Sequence, residues 1–424
     1  RQRQMCIRDR IGLTIFTVSS LACGLAESSA ALIAARAFQG LGGALVTPQT
    51  MSVMIRTFAP KERGGAMGVW GATAGLATVT GPLLGGVLVD AAGWPWIFYV
   101  NVPIGIIGLI LAWIFVPKLE QNNRHFDWPG VVLSALGMFC LVFGVQEAQQ
   151  FGWDWRVWTL LVVGVVAMVF FFRWQSRQST NALVPLALFD DRNFSLAAFT
   201  ISTVGFAVST YVIPWMIYIQ TVGELSPTHA ALLILPSGLV SGVLSPYIGR
   251  LTNTHDPKPF AIAGMTLAAL SIGATALITT PGVDPNWMYA ISVVYGVANS
   301  MMWGPLSMIA TRNLNPKLAG AGSSVYNTTR QIGAVIGSAA IAAMMSAQLD
   351  SRLGTHAGAN GGAAETPPAS PTASPTQVSG PLPEFLHEPF AAAMATSIWL
   401  PCLVIAAGAL TACFFAKTKS WGSA

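Results

Sequence analysis

Long apolar stretches separated by short polar ones run along almost the whole chain. An apolar run of about 20 residues has the length of one helical membrane crossing, and twelve such segments can be placed in the sequence. They are 11–27, 30–53, 64–89, 96–116, 129–148, 155–174, 194–219, 229–248, 260–279, 287–310, 320–346 and 389–415. The pattern predicts an all-α integral membrane protein with about 12 transmembrane helices.

Composition supports this prediction and excludes several classes of protein. Charged residues make up 9% of the chain and apolar ones 53%, whereas an ordinary soluble domain has about 25% charged residues. The five cysteines lack metal-ligand and disulfide spacing, and the chain has no Gly-Lys-[Ser/Thr] phosphate loop. We therefore expect no metal site, no ATP-driven step, no catalytic residues and no enzyme. The net charge of +5 comes from basic residues that flank apolar segments, so nucleic acid is not an expected partner.

Lysine and arginine are distributed unequally between alternate loops. With the charged head and the in-helix Arg36 and Arg330 left out, fourteen basic residues fall on one side of the predicted membrane and two, Arg156 and Arg352, on the other. Basic loops face the cytoplasm. The distribution predicts a multi-pass protein of the plasma (cytoplasmic) membrane whose C-terminus is cytoplasmic.

The segments group into a predicted domain organisation. Residues 1–10 form an atypical charged head, either a cytoplasmic flank or a foreign scar, and 11–116 form an N-terminal bundle of four helices. Residues 117–193 hold two linker helices and a cytoplasmic connector, and 194–419 form a six-helix C-terminal bundle. Within that bundle the external loop 348–388 is rich in Ala, Gly, Pro, Ser and Thr, a composition that predicts disorder.

The segment 64–89 is unusually rich in small residues. Its glycines and proline are Gly71, Gly75, Gly81, Pro82, Gly85 and Gly86. Most of them share one helical stripe, which would let another helix backbone approach closely, and Pro82 would bend the helix. Two interpretations remain open at this point: a packing seam between helices, or the hinge or seal of a transporter.

An internal repeat relates the two halves of the chain. The run that contains Pro48 and Lys61 aligns with the run that contains Pro305 and Lys317, at an offset of 256 or 257 residues. Parallel repeats of this kind belong to a large transporter architecture.

Several motifs resemble those of one family. Arg36-Ala-Phe-Gln39-Gly40 resembles an R-x-x-Q-G motif, and Gly81–Gly86 resembles a G-P-x-x-G-G motif. With the runs Trp96–Gly105 and Asn327–Gly333, they resemble the major facilitator superfamily, and within it the 14-helix drug:proton antiporters of the EmrB/QacA-like branch. The resemblance implies a major facilitator fold with 12 of 14 expected helices present, so that the N-terminal bundle is partial and lacks the first two helices.

Two groups of polar residues within the apolar segments are candidate coupling sites. The first is Arg36, Gln39 and Gly40; the second is Asn327, Arg330 and Gln331, near the predicted membrane midplane. An unpaired arginine in a helix centre is costly, so a partner or a role is expected. Arg36 would tune a proton-carrying acid or hold a gate, or else would cap neighbouring carbonyls.

Aromatic residues supply candidate walls for a substrate cavity. They are Trp70, Tyr211, Trp215, Tyr295, Trp303 and Tyr326. Taken singly, each of them also suits core packing or contact with lipid. The acidic residues considered as proton carriers lie in loops or at segment ends, as Asp90 and Glu147 do.

The resemblance implies proton-coupled efflux of hydrophobic or amphipathic drugs and related compounds by alternating access. The proton gradient would supply the energy, without any other cofactor. The expected partners are the lipid bilayer, the small-molecule substrate, protons and, as a possibility, an accessory protein of the cell envelope. The alternatives are a metabolite importer on the same fold, a sensor that does not transport, or an inactive fragment.

Overall fold

The computed structural model describes residues 4–58, 62–115, 127–151, 153–178, 183–312, 314, 318–359 and 382–416. These ranges contain helices and connecting turns and no β-strand. The α-helices are α1 (Gln4–Gly24), α2 (Ser29–Thr57), α3 (Arg63–Ala92), α4 (Trp96–Tyr99), α5 (Asn101–Phe115), α6 (Trp128–Phe151), α7 (Trp155–Arg177), α8 (Arg192–Thr210), α9 (Val212–Thr221), α10 (Pro227–Thr254), α11 (Pro257–Ile278), α12 (Trp287–Thr311), α13 (Ala319–Ala359) and α14 (His387–Cys413).

Each of the twelve predicted segments coincides with helical structure. The segment 96–116 divides into α4 and α5, and 194–219 divides into α8 and α9. Nine stretches within the described ranges are long and apolar enough to cross a membrane, and α1 adds a shorter apolar helix. The prediction of an all-α, multi-pass membrane protein is therefore confirmed, whereas the number of crossings stays a prediction.

Several helices begin where a polar side chain satisfies backbone N–H groups that have no partner inside the helix. Ser28 caps α2, Asp154 caps α7, Asp191 caps α8, Ser226 caps α10 and Asp256 caps α11. Caps of this kind determine where each helix begins, and each cap stabilises its helix by about 1 kcal/mol.

Two predicted boundaries need correction. Helix α1 begins at Gln4, so most of the predicted head 1–10 belongs to that helix. The predicted external loop 348–388 is shorter than expected, because α13 continues to Ala359 and a 3₁₀ turn at Glu384–Leu386 leads into α14. Arg352 holds the extension by donating to Gln348 and to Thr396 of α14. The remainder of the loop lies outside the described residues.

The chain forms two compact units. The first unit contains Arg1–Ala59 and Thr78–His125, and the second contains Pro60–Ala77 and Phe126–Ala424. The division does not follow the predicted domains, because the linker helices α6 and α7 belong with α8–α14. The contact of α6 with α13 accounts for this grouping. Helix α3 contributes its first half to the second unit and its second half to the first.

In the first unit, α1 packs against α2, α4 and α5. A Cβ atom on Gly42 would lie 2.5 Å from the backbone nitrogen of Phe16, so only glycine allows α1 and α2 to approach this closely. The hydroxyl of Tyr99 donates to the carbonyl of Gly24 at 2.8 Å and ties α4 to the end of α1.

In the second unit, α8 packs against α13 and α14, while α12 packs against α10 and α11. The start of α8 is fastened to the end of α14 by Asn193, whose side chain donates to the carbonyl of Ala416 at 3.3 Å and accepts from its N–H at 2.9 Å. Lys258 donates to the carbonyl of Phe415 at 2.7 Å. These bonds tie the starts of α8 and α11 to the residues that follow α14.

Candidate functional site

The most unusual group in the second unit is Arg330, a half-buried cation in the apolar helix α13. Its guanidinium carbon lies 5.7 Å from the ring centroid of Trp303 on α12, within the range of a cation–π interaction. The ring of Trp70, on the first half of α3, meets Trp303 edge-on at 6.3 Å. Three helices thus bring one cation and two indoles together.

Helix α12 presents further side chains on the same face as Trp303. Asn299 and Tyr295 precede Trp303 by one and two helical turns, and Asn299 Oδ1 accepts a hydrogen bond from Trp303 Nε1. Tyr295 packs against Tyr211 with ring centroids 4.6 Å apart. Below, the "Arg330 cluster" denotes seven residues: Trp70, Tyr211, Tyr295, Asn299, Trp303, Tyr326 and Arg330.

Polar atoms in and beside the cluster are buried without a hydrogen-bond partner among the described residues. They include Nε of Arg330, the hydroxyl of Tyr326 and Oγ of Ser245. Ser245 lies next to the cluster, because a Cβ built on Gly71 would be 3.3 Å from Trp303 Cβ and 3.9 Å from Ser245 Oγ. Buried polar groups are rarely left unsatisfied in proteins. These groups are therefore able to form hydrogen bonds with a bound ligand or with water.

The other predicted polar residues of α13 differ in burial. Asn327 is buried, and its Nδ2 donates to the carbonyl of Ser323 at 3.0 Å. Gln331, predicted as buried, is instead exposed, although it lies one helical turn beyond Asn327 on the same side of α13. Trp215, on α9, is 1% exposed and carries a buried Nε1 with no partner in the described part of the chain.

The predicted group around Arg36 lies in the first unit and differs from the prediction. Arg36 and Gly40 are exposed, and only Gln39 is buried. Arg36 donates to Gln39 Oε1 at 3.0 Å, and Gln39 Nε2 donates to Ser20 Oγ on α1 at 2.6 Å. The guanidinium lies 5.1 Å from the ring centroid of Phe98. Its long side chain reaches these neutral groups from the surface, so burial is not required.

The small-residue stripe of α3 makes its closest described contacts at Gly68 and Gly71. A Cβ on Gly68 would lie 2.5 Å from the carbonyl oxygen of Ser245, so this part of α3 packs directly on the α10 backbone. Within the first unit, a Cβ on Gly81, Gly85 or Gly86 would meet no described atom within 4 Å. Gly75 and Pro82 lie inside α3, but their surroundings fall outside the described residues.

Asp127, which was not among the predicted site residues, is buried at the start of α6. Asp127 accepts hydrogen bonds from the N–H of Gly130 at 3.0 Å, from Trp174 Nε1 at 2.8 Å and from Gln175 Nε2 at 2.7 Å. Burial alone would raise the pKa of Asp127, but these three bonds outweigh it and hold the pKa below its ordinary value. The sequence signal was an aspartate immediately before an apolar helix that starts with proline at its second position.

Comparison with known proteins agrees with this architecture. The family model described as Major Facilitator Superfamily matches residues 10–129 and 130–338. The chain belongs to the major facilitator superfamily. An uncharacterized MFS-type transporter of Mycobacterium tuberculosis is 44% identical over 95% of the chain and 68% of the relative. The chain therefore belongs to a family of membrane transporters and not to a family of enzymes.

Two further relatives in the superfamily carry functional names. The multidrug resistance protein Stp of M. tuberculosis is 34% identical over 78% of the chain. The tetracenomycin C resistance and export protein of Streptomyces glaucescens is 32% identical over 78% of the chain. The chain spans 62% of the length of each of them. Among solved structures, the human organic anion transporter MFSD10 has a TM-score of 0.56 at 13% identity, over 94% of the chain and 76% of that protein, which shows the shared fold alone.

Proposed function

We propose that the protein exports hydrophobic or amphipathic small molecules, drugs among them, across the plasma membrane and uses the proton gradient as its energy source. The Arg330 cluster carries this proposal, because it places a cation, unsatisfied donors and aromatic walls on long apolar helices. The names of the multidrug resistance and export relatives support the same substrate class. The proposal includes membership of the 14-helix drug:proton antiporter branch.

The transport cycle we propose is alternating access around this cluster. In this proposal the start of α3, the end of α10 and the C-terminus face the cytoplasm, as the positive-inside rule suggests from the basic loops. The contact of Gly68 with the α10 backbone then closes the second unit on that side. Loading of substrate from the cytoplasm requires this contact to separate, and small residues make separation and re-closure possible without side-chain obstruction.

The proton would be carried by an acid outside the cluster, with Arg36 and its hydrogen-bonded neighbours Gln39 and Ser20 modulating it. No resident cofactor is proposed. The partners proposed beyond substrate and protons are membrane lipids and an accessory protein of the cell envelope, which would extend the export path.

The experiment is dye uptake into everted membrane vesicles that contain the full chain. With a proton gradient imposed, we expect accumulation of the amphipathic dye Nile red and its release when nigericin collapses the gradient. Arg330→Ala should abolish uptake while membrane insertion stays intact. Arg352→Ala is the matched control, because Arg352 lies on the same helix and bonds Thr396 outside the cluster. Uptake that is equal in vesicles without the protein would overturn the proposal.

A second candidate is a metabolite carrier on the same fold. It is favoured by 26% identity to the riboflavin transporter RibZ of Clostridioides difficile, over 78% of the chain and 71% of that protein. The direction of proton-coupled flux in the vesicles separates the two candidates, since an importer would move its substrate the opposite way. Ligand binding without any flux would instead indicate a sensor.

A further inference from the structure

The Arg330 cluster presents a positive charge and hydrogen-bond donors, and this combination selects a class of ligand. We propose that the cluster binds organic anions, namely flat aromatic compounds that carry a carboxylate or another ionised oxygen. The inference rests on the proposed transport function and narrows its substrate. It distinguishes the protein from an exporter of lipophilic cations, which aromatic walls alone would suit equally well.

Arg330 has no acidic counter-charge in the central parts of the helices around it. No Asp or Glu occurs in the helical stretches that supply or surround the cluster, which are 63–89, 192–221, 227–254, 257–278, 287–311 and 319–349. Asp90 lies near the end of α3, and Asp350 lies more than five helical turns beyond Arg330 on α13. Helices α6 and α14 also contact α13, and their acids Glu147 and Glu388 lie near helix ends. The charge of Arg330 is therefore not balanced by a carboxylate in the middle of these helices.

The hydrogen-bond donors of the cluster also favour an anion. Nε of Arg330 and the hydroxyl of Tyr326 are buried and have no partner among the described residues, and the two residues lie one helical turn apart on α13. Both groups can donate to an ionised oxygen, and hydrogen bonds between charged partners are the strong ones. The hydroxyl of Ser245, beside Trp303, is a third such donor. A carboxylate would satisfy Nε of Arg330, a donor that a hydrocarbon or an ammonium ion would leave unpaired.

The face of the Trp303 ring, the surface on which a cationic ligand would bind best, is already occupied by Arg330. The guanidinium of Arg330 lies over the ring of Trp303, and the ring of Trp70 meets the same indole edge-on. A cationic ligand entering the cluster would meet a like charge in a poorly hydrated site, where repulsion is strong. Tyr211 and Tyr295, whose ring centroids are 4.6 Å apart, add two aromatic rings to the cluster against which the body of an anion would pack.

The test measures equilibrium binding of three probes that share one aromatic body and differ in charge. They are pyrenebutyrate, pyrenebutanol and pyrenebutyl-trimethylammonium. The full chain is held in lipid nanodiscs at neutral pH, binding is followed by energy transfer from tryptophan to pyrene, and empty nanodiscs correct for partition into lipid. We expect pyrenebutyrate to bind about tenfold more tightly than the alcohol, as one charge-assisted hydrogen bond allows, and the ammonium probe to bind most weakly.

Variants assign the preference to Arg330. Arg330→Gln should weaken the binding of pyrenebutyrate about tenfold and change the affinity for pyrenebutanol by less than about twofold. Arg330→Lys should keep most of the preference for the anion, because it keeps the positive charge. Arg352→Gln should leave all three affinities unchanged, because Arg352 bonds Gln348 and Thr396 elsewhere. If thermal unfolding shows that Arg330→Gln is not folded, Tyr326→Phe is used in its place. Tyr326→Phe should weaken the binding of pyrenebutyrate alone, by about threefold to fivefold.

Three results would overturn the inference: tightest binding of the ammonium probe, equal binding of all three probes, or an equal loss of all three in Arg330→Gln. The binding measurement needs no transport, so it separates this inference from the proposed function. An anion preference without vesicle uptake contradicts only the transport function. Uptake together with a cation preference contradicts only the assignment of the substrate class.

Discussion

The backbone carbonyl of Arg330 lies so close to Gly205 that a Cβ atom at Gly205 would collide with it. Gly333, one turn further along α13, fits against the backbone of Ser202 in the same way. Helices α8 and α13 therefore meet backbone to backbone at the level of the cation. Close contacts through glycine are how apolar helices associate in lipid. Here they also fix the position of Arg330 along α8.

Gly205→Ala should consequently destabilise the second unit. The added methyl group must push α8 from α13, and overpacking of this kind costs about 1–3 kcal/mol. The measurement is the midpoint of thermal unfolding in detergent. The control is Gly304→Ala on α12, another buried helical glycine, where a Cβ would meet no described atom within 4 Å. A midpoint for Gly205→Ala equal to that of the control would contradict the seam.

Gly71→Leu and Gly85→Leu should behave differently, although both lie on α3. At Gly71 the first added carbon would already touch Trp303, so the leucine should lower the unfolding midpoint by several degrees, as a loss of about 1–3 kcal/mol does. At Gly85 no described atom of the first unit is in the way, and the midpoint should change little. We expect Gly85→Leu to impair dye uptake more than folding. Failure of this variant to insert into the membrane would argue for a simple packing role.

Asp127→Asn should loosen the pair of helices α6 and α7. Asp127 Oδ2 accepts from Gln175 Nε2 while Gln175 Oε1 accepts from the N–H of Val184. An amide group at position 127 would oppose the Gln175 amide, and reversing Gln175 would break its bond to Val184. The expected loss is about 1–3 kcal/mol at neutral pH. The matched control is Asp154→Asn at the start of α7, where asparagine caps a helix as well as aspartate does.

The effect of Asp127 should depend on pH in one direction. Because its folded-state pKa lies below the unfolded value, which is about 3.9, the ionised group adds stability that is complete above that value. This stability is lost as the pH falls through the folded-state pKa. The difference between the wild type and Asp127→Asn should therefore be largest at neutral pH and shrink in acid. A difference that grows on acidification would contradict the assigned hydrogen bonds.

Asn193→Ala should release the start of α8 from the end of α14. It removes two hydrogen bonds to Ala416, at an expected cost of about 1–3 kcal/mol. Hydrogen exchange of the amides at 411–416 should accelerate, since the last turn of α14 loses its anchor. Asn286→Ala is the control, because Asn286 is exposed and its side chain does not cap α12. Unchanged exchange in Asn193→Ala would show that Lys258 holds the end alone.

Much of the fold could be predicted from the sequence because membrane crossing imposes a length and an apolar composition on each helix. The repeat was also visible: α3 and α13 begin at the same offset as the aligned loops that precede them. The close contact between α8 and α13 could not be predicted. Its two sides lie far apart in the sequence, and no motif around Gly205 marks that glycine as a contact position.

For the candidate site, the sequence predicted a polar cluster at Arg330 and aromatic cavity walls, and the structure brings two of those aromatic residues, Trp303 and Trp70, together with Arg330. The sequence could not predict that Trp303 of α12 would lie beneath the guanidinium of α13, because side-chain pairing between helices depends on their rotation. The same limitation explains Gln331 and Arg36. Both lie in apolar segments and are exposed, because burial depends on which neighbouring helices cover each position and not on the segment alone.

The bond between Asn193 and Ala416 also sets a time for biosynthesis, because its two partners are 223 residues apart. At roughly 5–20 residues per second, the ribosome needs about 10–45 s to make the intervening chain. During that interval α8 is in the membrane without the partner that fastens its start. The bond can form only after synthesis has passed Ala416, so a chain stalled before that residue would keep the start of α8 unfastened.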